Sequence, residues 1–308
     1  MGIDFGYLIQ RSFQIAWRYK TLWIFGLFAG GGDAFNFNWT NRIERRQVDM
    51  DFAYDLFDRF DIPYDVIPPQ LAVLGAILMW ILALILLFFI CYLIAQPAII
   101  DAVNKITRGG QYRFGTSFSR GADFFWRFFG ITMVEIFSVL ALIFIVVLLA
   151  IVLTPFSLLL TVPGAIVVGF LLFHTFALAE VAMVARNNQI SDAIAEGWGV
   201  LMRNIGNCFI MTLIMIGLAI GIGIVVFILA MIFYLPINLL VFGVTESLVS
   251  ILLLAVLIGL PVSLVLGGYT GTFFNALYVQ FYFRLVEPPQ PQPAIATSGA
   301  SPGATGVS

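Results

Sequence analysis

Three ionisable residues stand inside otherwise apolar sequence: Glu135, His174 and Glu180. An ionisable group in hydrocarbon is expensive to hold. Where one occurs, it marks a proton or ion path, or a polar clamp between helices. Glu135 and His174 lie 20 residues before and 19 residues after Pro155, a natural turn between two helical arms. At a rise of about 1.5 Å per residue they fall at nearly the same level, so a Glu135–His174 hydrogen bond is expected. With the turn nearer residue 158, Glu180 becomes the closer partner of Glu135. Two carboxylates at one depth cannot both carry charge cheaply.

The rest of the chemical inventory is thin. A single histidine rules out HExxH zinc sites and multi-histidine metal clusters. Cys91 and Cys208 both fall in apolar sequence and read as small core residues, not a disulfide. There is no P-loop, GxSxG or CxxC, and Ser117, in GTSFS, falls short of a nucleophile elbow. The acidic stretch 47–65 lacks the DxDxDG loop and closing glutamate of a calcium site. No catalytic, cofactor-binding or metal-ligating set is therefore expected.

The elements that must position these residues are membrane spans. The chain is 61% hydrophobic and 10% charged, with a mean hydropathy of +1.02. A soluble domain carries about 25% charged residues. No single water-soluble core could hide so much apolar surface, so lipid must solvate much of it. Residues 71–95 contain no charge at all. About 20 such residues cross a bilayer core. Apolar segments come in pairs: 20–33 with 71–96, 129–153 with 158–185, and 207–234 with 248–280. The expectation is an all-α membrane domain over residues 1–286, with six transmembrane helices in three hairpins. The segment 20–33 is short enough to span marginally or to re-enter. Residues 287–308 are rich in Pro, Ala, Ser and Gly and read as a disordered tail.

Each hairpin follows an amphipathic segment, and two of these segments match. Residues 5–18 read FGYLIQRSFQIAWR and residues 114–127 read FGTSFSRGADFFWR. Phe5, Gly6, Arg11, Trp17 and Arg18 align with Phe114, Gly115, Arg120, Trp126 and Arg127. A fainter copy, ISDAIAEGWGVLMR at 190–203, keeps Arg203. Apolar residues recur at i, i+4 on one face and polar or basic ones opposite, the pattern of a helix lying in a membrane interface. The reading is a threefold internal repeat with units of about 5–96, 112–185 and 190–286.

Charge placement orients the bundle. Arg11, Arg18 and Lys20 lie at the N-terminus, Lys105 to Arg127 follow the first hairpin, and Arg186 and Arg203 flank the third copy. Residues 34–70 form an acidic loop on the other side. The positive-inside bias puts both termini in the cytoplasm of a prokaryotic cell, in a multi-pass cytoplasmic-membrane protein. Basic groups placed at span ends form no nucleic-acid face. Arg11, Arg18, Arg120, Arg127 and Arg203 are the expected contacts for anionic lipid headgroups.

Several phrases resemble a poorly characterised family of prokaryotic multi-span membrane proteins. That family includes the membrane domain attached to some glycerophosphoryl diester phosphodiesterases. The phrases are AWRYKTLWIFGLFAGGG (16–32), SFSRGADFFWRFFGI (117–131), AIAEGWGVLMRNIGN (193–207) and GGYTGTFFNALYVQFYFRL (267–285). The resemblance implies a helical membrane fold and no catalytic residues, because no segment here is long enough for the phosphodiesterase barrel.

Together the residues point to a non-enzymatic membrane scaffold or accessory component whose partners are membrane lipids. A membrane-protein partner or a further copy of the chain stays open. The alternative is a transporter or lipid-handling channel using Glu135 with His174 or Glu180.

Overall fold

The computed structural model describes residues 3–30, 69–152, 158–242 and 260–287. Among them are nine α-helices and no strand: α1 (Phe5–Arg18), α2 (Leu22–Gly30), α3 (Pro69–Thr107), α4 (Phe114–Asp123), α5 (Phe125–Val152), α6 (Leu158–Arg186), α7 (Ile190–Arg203), α8 (Ile205–Phe242) and α9 (Leu260–Val286). Five of them, α3, α5, α6, α8 and α9, are long and apolar enough to cross a membrane. The protein is thus an all-helical, membrane-embedded chain.

α2 carries nine described residues, and residues 31–33 of the expected first span lie outside the described residues. So do the acidic loop up to residue 68, the turn at Thr154–Pro155 and the tail from residue 288. α3 and α8 overrun their expected ends. α3 continues through Pro97 to Thr107, and α8 continues to Phe242.

Local chemistry sets the helix ends. The Asp4 carboxylate caps α1 by accepting from the Tyr7 amide at 3.0 Å, a bond worth about 1 kcal/mol. α3 stops where Gly109 turns to φ +75 and the Gly110 amide reaches back to the Lys105 carbonyl at 2.8 Å. α6 stops in the same way at Asn187, with φ +57, and the Asn188 amide bonds to the Met183 carbonyl at 3.2 Å. Asparagine tolerates this left-handed geometry better than other residues with a side chain.

The buried residues gather at the basic end of the bundle. They include Leu93, Ala95 and Pro97 to Val103 on α3, Phe128 and Ile131 on α5, Leu178 to Met183 on α6 and Ala276 to Tyr282 on α9. Towards the other end the helices part. Every residue from Leu78 to Phe88 is exposed, which takes in all faces of that part of α3. Lipid tails are as apolar as leucine, so nothing hydrophobic draws such surfaces together. Packing must come from close approach and polar bonds.

The close approach uses small residues. α4 packs on α3, α7 on α6, and α1 on α9. A Cβ added to Gly197 of α7 would sit 2.9 Å from the Ala179 nitrogen. One added to Gly121 of α4 would overlap the Ile94 carbonyl and come within 3.0 Å of the Ala98 Cβ. Ser12 of α1 stands at the matching position of its helix. It is fully buried, and its Oγ accepts from Gln280 Nε2 at 2.7 Å. Beneath these contacts lie three fully buried alanines, Ala98, Ala179 and Ala276. α2 docks on α9 by the same means. A Cβ on Gly26 would overlap the Gly268 carbonyl, one on Gly30 would overlap Gly271, and Thr272 Oγ1 lies 3.0 Å from the Leu22 carbonyl.

Gly197→Leu and Gly271→Leu should each destabilise the chain by about 1–3 kcal/mol or more through overpacking. Gly199→Leu and Gly221→Leu have open space beyond them and should be tolerated. Thermal melts of the detergent-solubilised chain would decide. A Gly197→Leu protein melting with wild type would rule out docking by backbone contact.

Candidate functional site

The polar residues of the bundle interior form two groups a short distance apart. The first centres on His174, which is fully buried on α6. Its Nδ1 lies 2.8 Å from the Tyr278 hydroxyl of α9, and its Nε2 lies 2.6 Å from Thr212 Oγ1 of α8. Thr212 Oγ1 also lies 3.1 Å from the Cys208 carbonyl one turn back, to which it can only donate. The threonine proton is thereby committed, so Oγ1 accepts from Nε2–H. Nδ1 is then left to accept from the Tyr278 hydroxyl. One imidazole tautomer satisfies the chain from Tyr278 through His174 and Thr212 to the Cys208 carbonyl. Three helices meet at this ring. Phe170 and Phe173 pack edge-on against it, with centroids at 4.7 and 5.2 Å.

The second group centres on Glu180. It is buried on α6 and accepts from Gln96 Nε2 of α3 at 3.4 Å. Glu135 of α5 lies within electrostatic range of it, and both carboxyls act on Tyr92 of α3. The interior thus brings Glu180 and Glu135 into one neighbourhood. Both ring nitrogens of His174 turn instead to Tyr278 and Thr212. The expected Glu135–His174 bond gives way because α8 and α9 supply a donor and an acceptor that flank the ring directly.

Gln96, Thr212 and Tyr278 carry much of this polar layer, and sequence reasoning passed over them. Each is an uncharged polar residue in an apolar run, and a search for ionisable groups does not register them. A scan for polar side chains at one depth across the spans would have found all three.

At the basic end the arginines differ in what they hold. Arg11 donates to the Thr107 carbonyl at 2.9 Å and to the Tyr7 hydroxyl at 3.1 Å, tying α1 to the end of α3. Arg120 and Arg127 both lie over the Phe124 ring, and Arg127 also donates to Asn187 Oδ1 at 2.9 Å. Arg18 and Arg203 are exposed in the last turns of α1 and α7 and make no ion pair among the described residues. Lys105, Arg108 and Arg186 are neutralised by Asp101, Glu287 and Glu196. Glu196 additionally accepts from Tyr282 at 2.6 Å and from Asn188 at 2.8 Å. Between α3 and α4, burial raises the Tyr112 hydroxyl above its ordinary pKa and outweighs the opposing hydrogen bond with Thr21.

Among the described residues, no group of three His, Cys, Asp or Glu side chains could hold a metal ion. No protein-family model, curated protein or solved structure matches the chain, so none of these links it to the phosphodiesterase membrane domain.

His174→Leu and Thr212→Val should not be additive. Each removes a partner of the same bond, so a double-mutant cycle on melting should return a coupling of about 0.5–1.5 kcal/mol. Strict additivity would mean that the ring does not hold α8.

Proposed function

We propose that this chain is a non-enzymatic, multi-pass scaffold or accessory protein of a prokaryotic cytoplasmic membrane, built from three related units. Each unit is an interfacial helix followed by a hairpin of spans, six spans in all, with both termini in the cytoplasm. Exposed arginines at the basic end contact anionic lipid headgroups.

The observation that carries this reading is the shared register of the three amphipathic helices. Leu8, Ser117 and Ala193 occupy one position of the fourteen-residue pattern and are all buried. Ser12, Gly121 and Gly197 occupy another, and each meets the second arm of a hairpin. The docking order is cyclic. α4 packs on the arm before it, α7 on the arm before it, and α1 on α9, the last arm of the chain. Three units joined in this way close on themselves. Trp17 and Trp126 stand at equivalent places and are 62% and 76% exposed, as interfacial tryptophans are. A scaffold role also accords with the chain's single histidine being committed to holding α6, α8 and α9 together.

One observation favours a second reading, that of a transporter or lipid-handling channel. Glu180 is buried within electrostatic range of Glu135, with only Gln96 donating to it among the described residues. A carboxyl held in this way suits a proton carrier as well as a clamp.

Two measurements separate the readings. Reversal of Arg18, Arg127 and Arg203 to Glu should abolish stabilisation by anionic lipid, with a loss in neutral detergent no larger than the Arg127–Asn187 bond, about 0.5–1.5 kcal/mol. Unchanged lipid dependence would sink the lipid role. In proteoliposomes under an imposed potential, the scaffold reading expects Glu180→Gln and Glu135→Gln to leave proton leak unaltered. A wild-type leak that either variant removes would establish the second reading instead.

A further inference from the structure

We infer that Arg120 and Arg127 form a binding site for a phosphate group at the junction of α4 and α5. This site rests on the lipid-contact reading above and gives it a location and a ligand chemistry.

Like charges avoid one another unless something between them is negative. Here two guanidinium groups converge on one ring. The Arg120 Cζ lies 4.9 Å and the Arg127 Cζ 5.5 Å from the Phe124 centroid. Arg120 stands in the last turn of α4, Phe124 at the break and Arg127 in the first turn of α5, so the junction itself sets both arginines against the ring. Phe124 is itself buried, so the ring is a fixed platform. Neither arginine pairs with a carboxylate among the described residues. Arg127 is held by Asn187, whose left-handed backbone at the end of α6 presents Oδ1 to it. Arg120 has no hydrogen-bond acceptor among the described residues.

The other basic groups are disposed differently. Lys105, Arg108 and Arg186 have carboxylate partners. Arg11 and Arg284 also share a ring, that of Tyr7, but Arg11 is already spent on the Thr107 carbonyl and the Tyr7 hydroxyl. Arg18 and Arg203 stand on separate helices, α1 and α7.

Two planar, five-donor forks held against one ring suit a group with several anionic oxygens, and phosphate matches their chemistry. Trp126, next to Arg127 in the chain, is 76% exposed, an aromatic anchor of the kind found at membrane interfaces for a phosphate carried on a lipid. Free phosphate offers the same oxygens without a lipid's acyl chains.

The test uses the full chain in neutral detergent. Melting is followed during titration with short-chain phosphatidic acid, short-chain phosphatidylcholine, or inorganic phosphate. Phosphatidic acid should raise the melting temperature, and the Arg120→Gln/Arg127→Gln protein should need about tenfold more of it or better for the same rise. Arg120→Lys/Arg127→Lys keeps the charge and should fall between them, which separates a lost fork from a lost fold. Arg18→Gln/Arg203→Gln removes contacts outside this site and should cost less of the response than Arg120→Gln/Arg127→Gln does. Equal stabilisation by inorganic phosphate, lost in the Arg120→Gln/Arg127→Gln protein, would support the site and assign it to free phosphate. If Arg120→Gln/Arg127→Gln keeps the full response while Arg18→Gln/Arg203→Gln loses it, the site is wrong and the broader lipid reading stands. A wild-type chain indifferent to both phosphatidic acid and phosphate overturns site and lipid reading together.

Discussion

Everything in this bundle depends on how closely two helix backbones can approach. In water, exposed leucines and phenylalanines would pull helices together; in lipid they have no reason to. What remains is dispersion between atoms in contact, which is strong only where side chains do not hold the backbones apart. Gly121 over Ile94 and Ala98, Gly197 over Thr175 and Ala179, and Gly26 and Gly30 over Gly268 and Gly271 are such places. They lie where the buried residues of the bundle lie. Where small residues face no partner, as at Gly217, Gly221 and Gly223, that face of α8 is open, while Met215, Leu218 and Ile222 pack on the core.

Polar bonds then fix what close approach leaves undetermined. α8 makes few backbone contacts with its neighbours, and the His174–Thr212 bond gives it a definite place against α6 and α9. Gln280 and Ser12 do the same for α1 on α9, across nearly the whole length of the chain. In a medium without water such bonds have few competitors, although measured values in membranes remain modest, around 0.6 kcal/mol on average. Their value here is in register and orientation more than in energy.

The arginines fall into two populations for the same electrostatic reason. Those within reach of a helix end or a carboxylate are engaged inside the fold: Arg11 donates to the Thr107 carbonyl, while Arg108 pairs with Glu287 and Arg186 with Glu196. Those on the solvent side of the amphipathic helices are left over. In the proposed repeat, Glu196 of α7 corresponds to Arg11 and Arg120. It anchors Arg186, Asn188 and Tyr282.

The sequence by itself determined the class of structure and much of its layout. Long uncharged runs such as 71–95 can be stable only as helices in lipid, and i, i+4 alternation in 5–18 and 190–203 gives single helices, whereas 114–127 breaks at Phe124 into the end of α4 and the start of α5. Helix ends were less legible. α3 passes through Pro97 because its neighbours bury the turn that proline weakens, and no local signal announces such burial. Which polar groups would meet was a tertiary decision. Depth could be counted along the chain, and it put Glu135 level with His174. Depth does not fix the rotation of each helix about its axis, and rotation is set by which small faces lock together. That locking turned His174 towards Tyr278 and Thr212, and placed Glu180 near Glu135. It also left Arg120 and Arg127 facing outward over Phe124 with no carboxylate between them.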